Sequence, residues 1–588
     1  MTVPAALPDA TDAAAERDDG MLTDHPSPPT PDEHPAAAAG GAPGLSLSPV
    51  AGEHALEWLS IPASAHPRVQ AEIGRLNIEA FDKVSRKDFV AAVELLRRVL
   101  NLAPDSPRAH GNLGVALWQA ERLADSEIHC RRAIGLDRDY VPPYMVLANI
   151  LQQRRGFTEA LACYNRVVAL QPDNAAAHNN AGLILRRLGD FKQAETAFAR
   201  AADLLPNDPR VRFNQLMMRR DDASLPQAIE CCLQSLRDRP DDAHLITNLA
   251  VGLQLMGQYE EAWKNYEKAV AINPDQHDAR FNMSLLLLLR GDYERGWREY
   301  EHRWDTIDIT KPDFPQPMWD GEPLQGKTIL LQAEQGFGDA IQFFRYVPEV
   351  VRRGGRVVLR VERALVRLAA SLLGQVIIKP ADARLPDFDV WCPLLTLPRI
   401  LGTRIDSIPA TVPYLAARAG VTERWRRNFE GMSGLKVGFT WTGNPRHVND
   451  LRRSIELSKL APLLDVPGVT WVSLQVGRQE PALTELAGGR IVDLAPQLTD
   501  FAETAGAMMN LDLVITVDTV VSHLAGALGR PAWVMLPFSP DWRWMLERED
   551  SPWYPSLRLY RQSASSDWEG VIARVANDLA ALAAKRGG

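Results

Sequence analysis

The sequence predicts a multidomain protein: an α-helical superhelix of short repeats, then two doubly wound α/β domains facing one another across a cleft. Three observations carry the prediction. Pro104, Pro172, Pro206, Pro240 and Pro274 stand 34 residues apart or, once, twice that, with Arg138 in the skipped place. Beyond residue 320, short apolar runs alternate with helical patterns, as in a parallel α/β sheet. Those runs fall into two sets, divided by the helix-bearing linker "YLAARAGVTERWRRNFEGMSG".

The first 66 residues come before any of this. They are rich in Ala, Pro, Asp, Gly and Ser, offer little apolar surface to offset ordering entropy, and read as disordered. At 588 residues the whole chain has room for three or four domains. A net charge of −9 argues against nucleic acid as the main partner. Five cysteines (Cys130, Cys163, Cys231, Cys232 and Cys392) with no CxxC pair argue against a disulfide scaffold and against a structural zinc site; no metal is expected. Asp9, Asp12 and Glu16 do not suit a signal peptide, and no apolar run approaches 18 residues, so a cytoplasmic protein without a membrane span is expected.

Residues 67–306 hold the repeats. A 34-residue helix–turn–helix period is the signature of tetratricopeptide repeats. The clearest copy, "AHLITNLAVGLQLMGQYEEAWKNYEKAVAINPD", places Leu249, Ala250, Gly257, Ala262, Tyr266, Ala269 and Pro274 where this family prefers them. About seven repeats fit the register. Such units bury their apolar faces only by stacking, which produces a superhelix with a concave face. Asn112, Asn180, Asn214, Asn248 and Asn282 recur at one place in the first helix of each pair, with Val146 at the interruption. A column of carboxamides along the groove can pair with both C=O and N–H of an extended peptide. The array resembles the asparagine ladder of protein O-linked N-acetylglucosamine transferase, and it makes these five the candidate acceptor-peptide residues. Asn tolerated at a solvated position is the other reading.

The first α/β domain is expected over 307–420, with strands in "KTILLQAE", "RVVLRVE" and "QVIIKP". The second is expected over 421–562, with "LKVGFTWTG", "VTWVSLQVG", "LDLVITVD" and "PAWVMLP". Residues 563–588 form a C-terminal helix, expected to pack back on the first α/β domain. Two motifs are set aside. "GEPLQGKT" matches the phosphate-binding P-loop, but a working P-loop follows a strand and opens a helix, whereas this one precedes its strand. Asp387-Phe388-Asp389 has the form of a metal-binding Asp-x-Asp, but it runs into apolar "VWCPLL" and reads as the exposed start of a strand.

Three segments fall where open α/β sheets bind ligands, at strand carboxyl ends. "AEQGFGDAIQFFRY" carries Gly338 and Asp339 at a strand-to-helix turn; Asp339 is either a helix cap or a general base. "WTGNPRHVNDLRRS" offers Asn444, Arg446, His447, Asn449, Arg452 and Arg453, which suit a phosphate-bearing ligand or form a solvated basic loop. Gln475 ends the strand run that follows. In "VITVDTVVSHLAGALGRP", Asp518 and Thr519 begin a helix whose amides suit phosphate, and His523 lies one turn on. The competing reading makes Asp518 a cap and His523 a buried structural histidine. The Trp-rich "SPDWRWMLEREDSPWYP", with Arg543 and Arg548, either stacks on a base or sugar or packs the seam between domains.

The Gly-Asp loop and "VDTVVSHLAGALGRP" together resemble the heptosyltransferase group of GT-B glycosyltransferases, over about residues 320–560. With the repeats, the chain is similar to bacterial repeat-bearing glycosyltransferases that modify flagellin. The resemblance implies two Rossmann-like domains, Asp339 as base, and a donor phosphate at Asp518-Thr519. The family's Gly after that Asp-Thr pair is Val520 here, which suits a donor with one phosphate, such as a CMP-sugar. The expected activity is inverting, metal-independent transfer from a nucleotide-sugar to Ser or Thr of a protein, with flagellin the expected acceptor. The donor set is Gly338, Asn444, Arg446, His447, Arg453, Gln475, Asp518, Thr519 and His523. Rival readings are a catalytically silent repeat adaptor and a transferase acting on a glycan or lipid. Exposed repeat faces also allow a homodimer.

Overall fold

The computed structural model describes residues 67–587 except 220–223, 307–308, 310, 373–375, 446, 448 and 478–490. The expected disordered segment, 1–66, and Arg446 of the candidate donor set lie outside the described residues.

The repeats form seven helix pairs among the described residues, from Pro67–Ser85 to Tyr293–Glu299. A small side chain recurs every 34 residues on the second helix: Ala92, Ser126, Ala160, Ala194, Ala228 and Ala262 are all fully buried. The last in that series is Gly296, where an added Cβ would come within 2.7 Å of Leu288 Cδ2. A larger residue at any of these places would force the paired helices apart. The period-marking prolines sit just past the second helices, which end at Leu102, Leu170, Leu204, Asp238 and Ile272; proline cannot continue a helix. Side chains of Ser106, Asn174, Asp208 and Asp242 cap the first helices that follow. In six of the pairs the turn between the helices holds a left-handed residue. Lys87, Glu121 and Arg155 hold it early in the array, and Gly189, Gly257 and Gly291 relieve it later.

The first α/β domain has one parallel sheet of four strands: β1 (Thr328–Gln332), β2 (Arg356–Val361), β3 (Val376–Pro380) and β4 (Val390–Pro393), in the order β3-β2-β1-β4. The second domain has β5 (Leu435–Thr440), β6 (Val469–Ser473), β7 (Ile491–Asp493), β8 (Leu513–Val517), β9 (Ala532–Leu536) and β10 (Leu557–Arg561). It is parallel throughout, in the order β10-β9-β8-β5-β6-β7. Strand order therefore reverses between β1 and β4 and again between β5 and β8. Those two points open the crevices in which such sheets bind ligands. "GEPLQGKT" indeed precedes β1, with Gln325 and Gly326 at positive φ turning the chain into the strand rather than into a helix. Asp389 accepts the Thr328 N–H at 2.7 Å and so fastens the start of β4 to that of β1.

The repeats do not hang free of the α/β half. The Trp553 indole donates to Tyr293 Oη at 3.0 Å, and Trp297 stands edge-on to Trp542 at 5.2 Å. Arg303, wholly buried, pairs with Glu301 and Glu334 and donates to Thr396. One apolar core runs from the later repeats through both α/β domains. The Trp-rich segment is thus the seam: Trp542, Trp544 and Trp553 are buried in it. The C-terminal helix Trp568–Gly587 departs from expectation. Trp568, Val571, Ile572, Val575 and Leu579 pack with Leu435, Val437, Leu460 and Leu463 of the second domain, not on the first. Its apolar stripe covers a sheet face that would otherwise be open to water. Among the described residues, no helix is long and apolar enough to cross a membrane.

Candidate active site

The two reversal points face each other. After β1 the chain turns at Gln335 and Gly336 into the short helix Phe337–Phe343. Gly338, in its first turn, lies against the His523 ring: a Cβ at 338 would come within 2.8 Å of His523 Cδ2. Any larger residue would wedge the two domains apart there. Asp339 Oδ2 accepts the Gly336 N–H at 2.9 Å, so the cap reading is correct as far as it goes. Its Oδ1, however, is paired with Arg543, which arrives from the other domain and also bonds Asp541 at 2.9 Å and Gln342. Burial pushes the Asp339 carboxyl above its ordinary range; Arg543 pulls it back in part, and Asp541 raises it further. A carboxylate has about four lone-pair sites, so two hydrogen bonds leave acceptor capacity for a substrate proton.

On the opposite side, Asp518, His447, Arg452, Arg453 and Asp541 line a cleft, and Leu255 of the repeats closes one wall. The Ser539 hydroxyl donates to Gln254 O at 3.2 Å, and the Phe538 ring would meet a Cβ at Gly257 at 2.9 Å. The repeat array therefore borders the cleft directly. His447 Nδ1 accepts the Asn449 N–H at 3.1 Å, which leaves Nε2 to carry the proton of the neutral ring. Arg453 lies along Asp450 at 3.7 Å, while its Nε is buried with no hydrogen-bond partner. Asp518 is pushed up to about 6, by burial first and by Asp541 next, with Arg453 opposing.

The remaining donor-set residues divide. Asn444 is exposed at the rim. Gln475 Oε1 accepts N–H groups of Trp441 (3.3 Å) and Thr442 (3.2 Å), fixing the chain as it leaves β5. Thr519 caps the helix Val520–Ala527 by accepting the Val521 N–H at 3.3 Å and shares a hydroxyl contact with Thr516 at 3.2 Å. His523 bonds Tyr554 Oη at 3.0 Å and stacks on Trp544. Burial first, then Arg543, Arg345 and Arg453, hold it well below the usual histidine range. It is a neutral ring spent inside the seam. Asp541 and Arg543 as a pair were not singled out from the sequence; the signal was the acidic and basic residues set among tryptophans in "SPDWRW".

The five asparagines do fall on first helices, but all are buried, at 0–8% exposure. This differs from a row of open amides. First helices also pack against neighbouring repeats, so the carboxamides find partners inside the protein. Asn180 accepts from Asn179 at 3.1 Å, and Asn214 donates to Asn179 at 2.9 Å. The Asn180 Nδ2 is a buried donor with no hydrogen bond of ordinary geometry, close enough to the Tyr164 hydroxyl to act on it.

Comparison with known proteins agrees with this architecture. The glycosyltransferase family 9 (heptosyltransferase) family matches over residues 472–534, and tetratricopeptide-repeat families match over 82–141, 145–209 and 243–276. The chain is similar to Protein FlbA of Caulobacter vibrioides, with 25% identity over 541 residues, 86% of this chain and 84% of that one. Tetratricopeptide repeat-containing protein trd-1 of Caenorhabditis elegans is 26% identical over 144 residues, 24% of this chain and 19% of that one. Of solved structures, a tetratricopeptide repeat protein from Parabacteroides merdae is 18% identical, spans 41% of this chain and 95% of its own, and gives a TM-score of 0.33. The chain is a tetratricopeptide-repeat region fused to a heptosyltransferase-like glycosyltransferase.

Proposed function

We propose that this glycosyltransferase moves a sugar from a nucleotide-sugar to a Ser or Thr hydroxyl of a protein held by the repeats. The observation that carries the reading is the cleft itself, lined by Arg452, Arg453 and His447 together with Asp518 and Asp541 on one side and by Leu255 of the repeats on the other. A donor held at Arg453, His447 and the amides after Thr519 has its leaving phosphate beside the arginines and the helix start, with no need of a metal. Asp339, across the seam, takes the hydroxyl proton as the acceptor oxygen bonds to the anomeric carbon. The bond from that carbon to phosphate breaks, and the nucleotide leaves with the electron pair. Displacement from the face opposite the phosphate inverts the configuration.

Flagellin is the acceptor we favour, in a cytoplasmic setting, and a CMP-sugar the donor. Intact-mass analysis of flagellin from cells with and without this gene tests the acceptor: a mass increment present only with the gene is expected. Calorimetric titration of the purified chain with CMP, UDP, ADP and GDP tests the donor. Binding of a nucleotide with unchanged flagellin mass would move the reading to another acceptor, a glycan or lipid included.

A further inference from the structure

Where the chain leaves the repeats, two imidazoles and a carboxylate converge, none of them among the residues that line the transferase cleft. His277 opens the last first-helix, His277–Arg290; His302 lies in the 3-10 turn Tyr300–Trp304, and Asp305 ends it. His277 Nδ1 is 3.3 Å from His302 Nδ1. The Asp305 Oδ2 lies 3.7 Å from the first and 3.5 Å from the second. The three donor atoms make a nearly equilateral triangle whose two N···O sides exceed ordinary hydrogen-bond lengths and whose N···N side is a long hydrogen bond. A tetrahedral Zn²⁺ with bonds of about 2.0–2.1 Å holds its ligand atoms about 3.4 Å apart. The triangle therefore matches one face of that tetrahedron better than it matches a hydrogen-bonded cluster. The other histidine pair supplies the contrast: His110 and His129 approach to 2.9 Å, a normal hydrogen bond.

The geometry points to a Zn²⁺ site formed by His277, His302 and Asp305, with water in the fourth place. Glu299 Oε2 lies 3.8 Å from His302 Nε2, behind the ring as seen from the triangle, and Arg280 holds Glu299 at 3.0 Å. A carboxylate behind a ligating imidazole orients the ring and strengthens it as a ligand. Bound metal ties the start of the last repeat helix to the turn that leads into the first α/β domain, a structural role independent of the transfer reaction. Nothing in the sequence signals it, because the ligands are not spaced as a zinc motif and include no cysteine.

The test is titration of the full, chelator-stripped chain with Co²⁺, followed by displacement with Zn²⁺. One equivalent of Co²⁺ with the visible spectrum of a four-coordinate ion is expected, bleached by Zn²⁺. It should vanish in the His277→Ala/His302→Ala double variant and persist in His110→Ala/His129→Ala. Asp305→Asn, at an exposed position, should weaken Zn²⁺ binding roughly tenfold or more with circular dichroism unchanged. A wild-type chain that gives no four-coordinate spectrum, or a spectrum that survives loss of both histidines, overturns the proposal.

Discussion

The crevice after β1 and the crevice after β5 arise in the same way, from a reversal of strand order in a parallel sheet, yet they are finished differently. At the first, both oxygens of Asp339 already have partners, Gly336 on its own helix and Arg543 from across the seam. At the second, a cation and a hydroxyl are left over: Arg453 Nε and Thr442 Oγ1 are buried without hydrogen-bond partners, whereas the donor left over at the first is the neutral amide of Gln342. Buried polar groups are ordinarily satisfied, so leftover donors mark where a ligand completes the structure. The difference assigns the tasks. One edge holds a single carboxylate in a fixed orientation; the other keeps donors in reserve for an incoming anion.

The largest expected effect breaks the first edge alone. Asp339→Asn keeps the size and the cap acceptor but removes the base. It should lower kcat by ~10²–10⁴, while nucleotide affinity by calorimetry stays within about twofold. Equal losses in both would merge the two tasks and refute the division.

Arg543→Met acts on what joins the edges. It leaves the Asp339 and Asp541 carboxylates buried without their counter-charge, which typically costs about 3–5 kcal/mol, read by denaturant unfolding. The same change removes the cation that draws the Asp339 pKa down. The base then needs a higher pH to ionise, so the acid limb of the kcat profile should move upward in whatever activity survives. An unmoved limb would mean that the titrating base is another group.

Asp518→Asn tests the second edge by its stability. The folded pKa is about 6 against 3.8 for the free side chain, so the fold disfavours the ionised form. Such a group adds full stability below the unfolded value and loses it as pH rises through the folded one. Removing the charge should therefore stabilise the protein by at most about 3 kcal/mol at pH 7–8 and change nothing near pH 3.5. Thermal melts across that range decide it.

How far the sequence reaches follows the same division. The repeat register was legible because close helix approach demands a small residue at every 34th position, and proline and cap residues punctuate it. The strand runs and their carboxyl-end loops were legible because burial on both sheet faces selects continuous apolar stretches. The Arg543–Asp339 pair spans 204 residues, and no local pattern encodes which arginine a buried carboxylate will meet. The C-terminal helix was misplaced for a related reason: an apolar stripe states that a core is needed, not which one. Asparagine periodicity likewise gave the helix but not the burial, which depends on how tightly neighbouring repeats close.

Arg453→Ala should weaken nucleotide binding by about 10- to 100-fold, the worth of one hydrogen bond to a charged group at ~1.5–3 kcal/mol, with kcat at saturating donor much less affected. A fall in kcat with donor affinity intact would place Arg453 at the reacting atoms instead of at the resting phosphate.

The smallest effect is expected in the repeats, at Asn180 on the helix Ala175–Arg187. Its Nδ2 is a buried donor held by no hydrogen bond of ordinary geometry, with the Tyr164 hydroxyl beside it, while its Oδ1 is engaged by Asn179. If the amide lends that donor to an acceptor backbone, Asn180→Ala removes one neutral hydrogen bond, worth ~0.5–1.5 kcal/mol. Acceptor KM should then rise about two- to tenfold, with donor KM and kcat unchanged. If the amide serves only the packing of its repeat, the melting temperature falls and acceptor KM stays where it was. Because the two outcomes appear in different measurements, a single variant separates a peptide-reading column from a structural one.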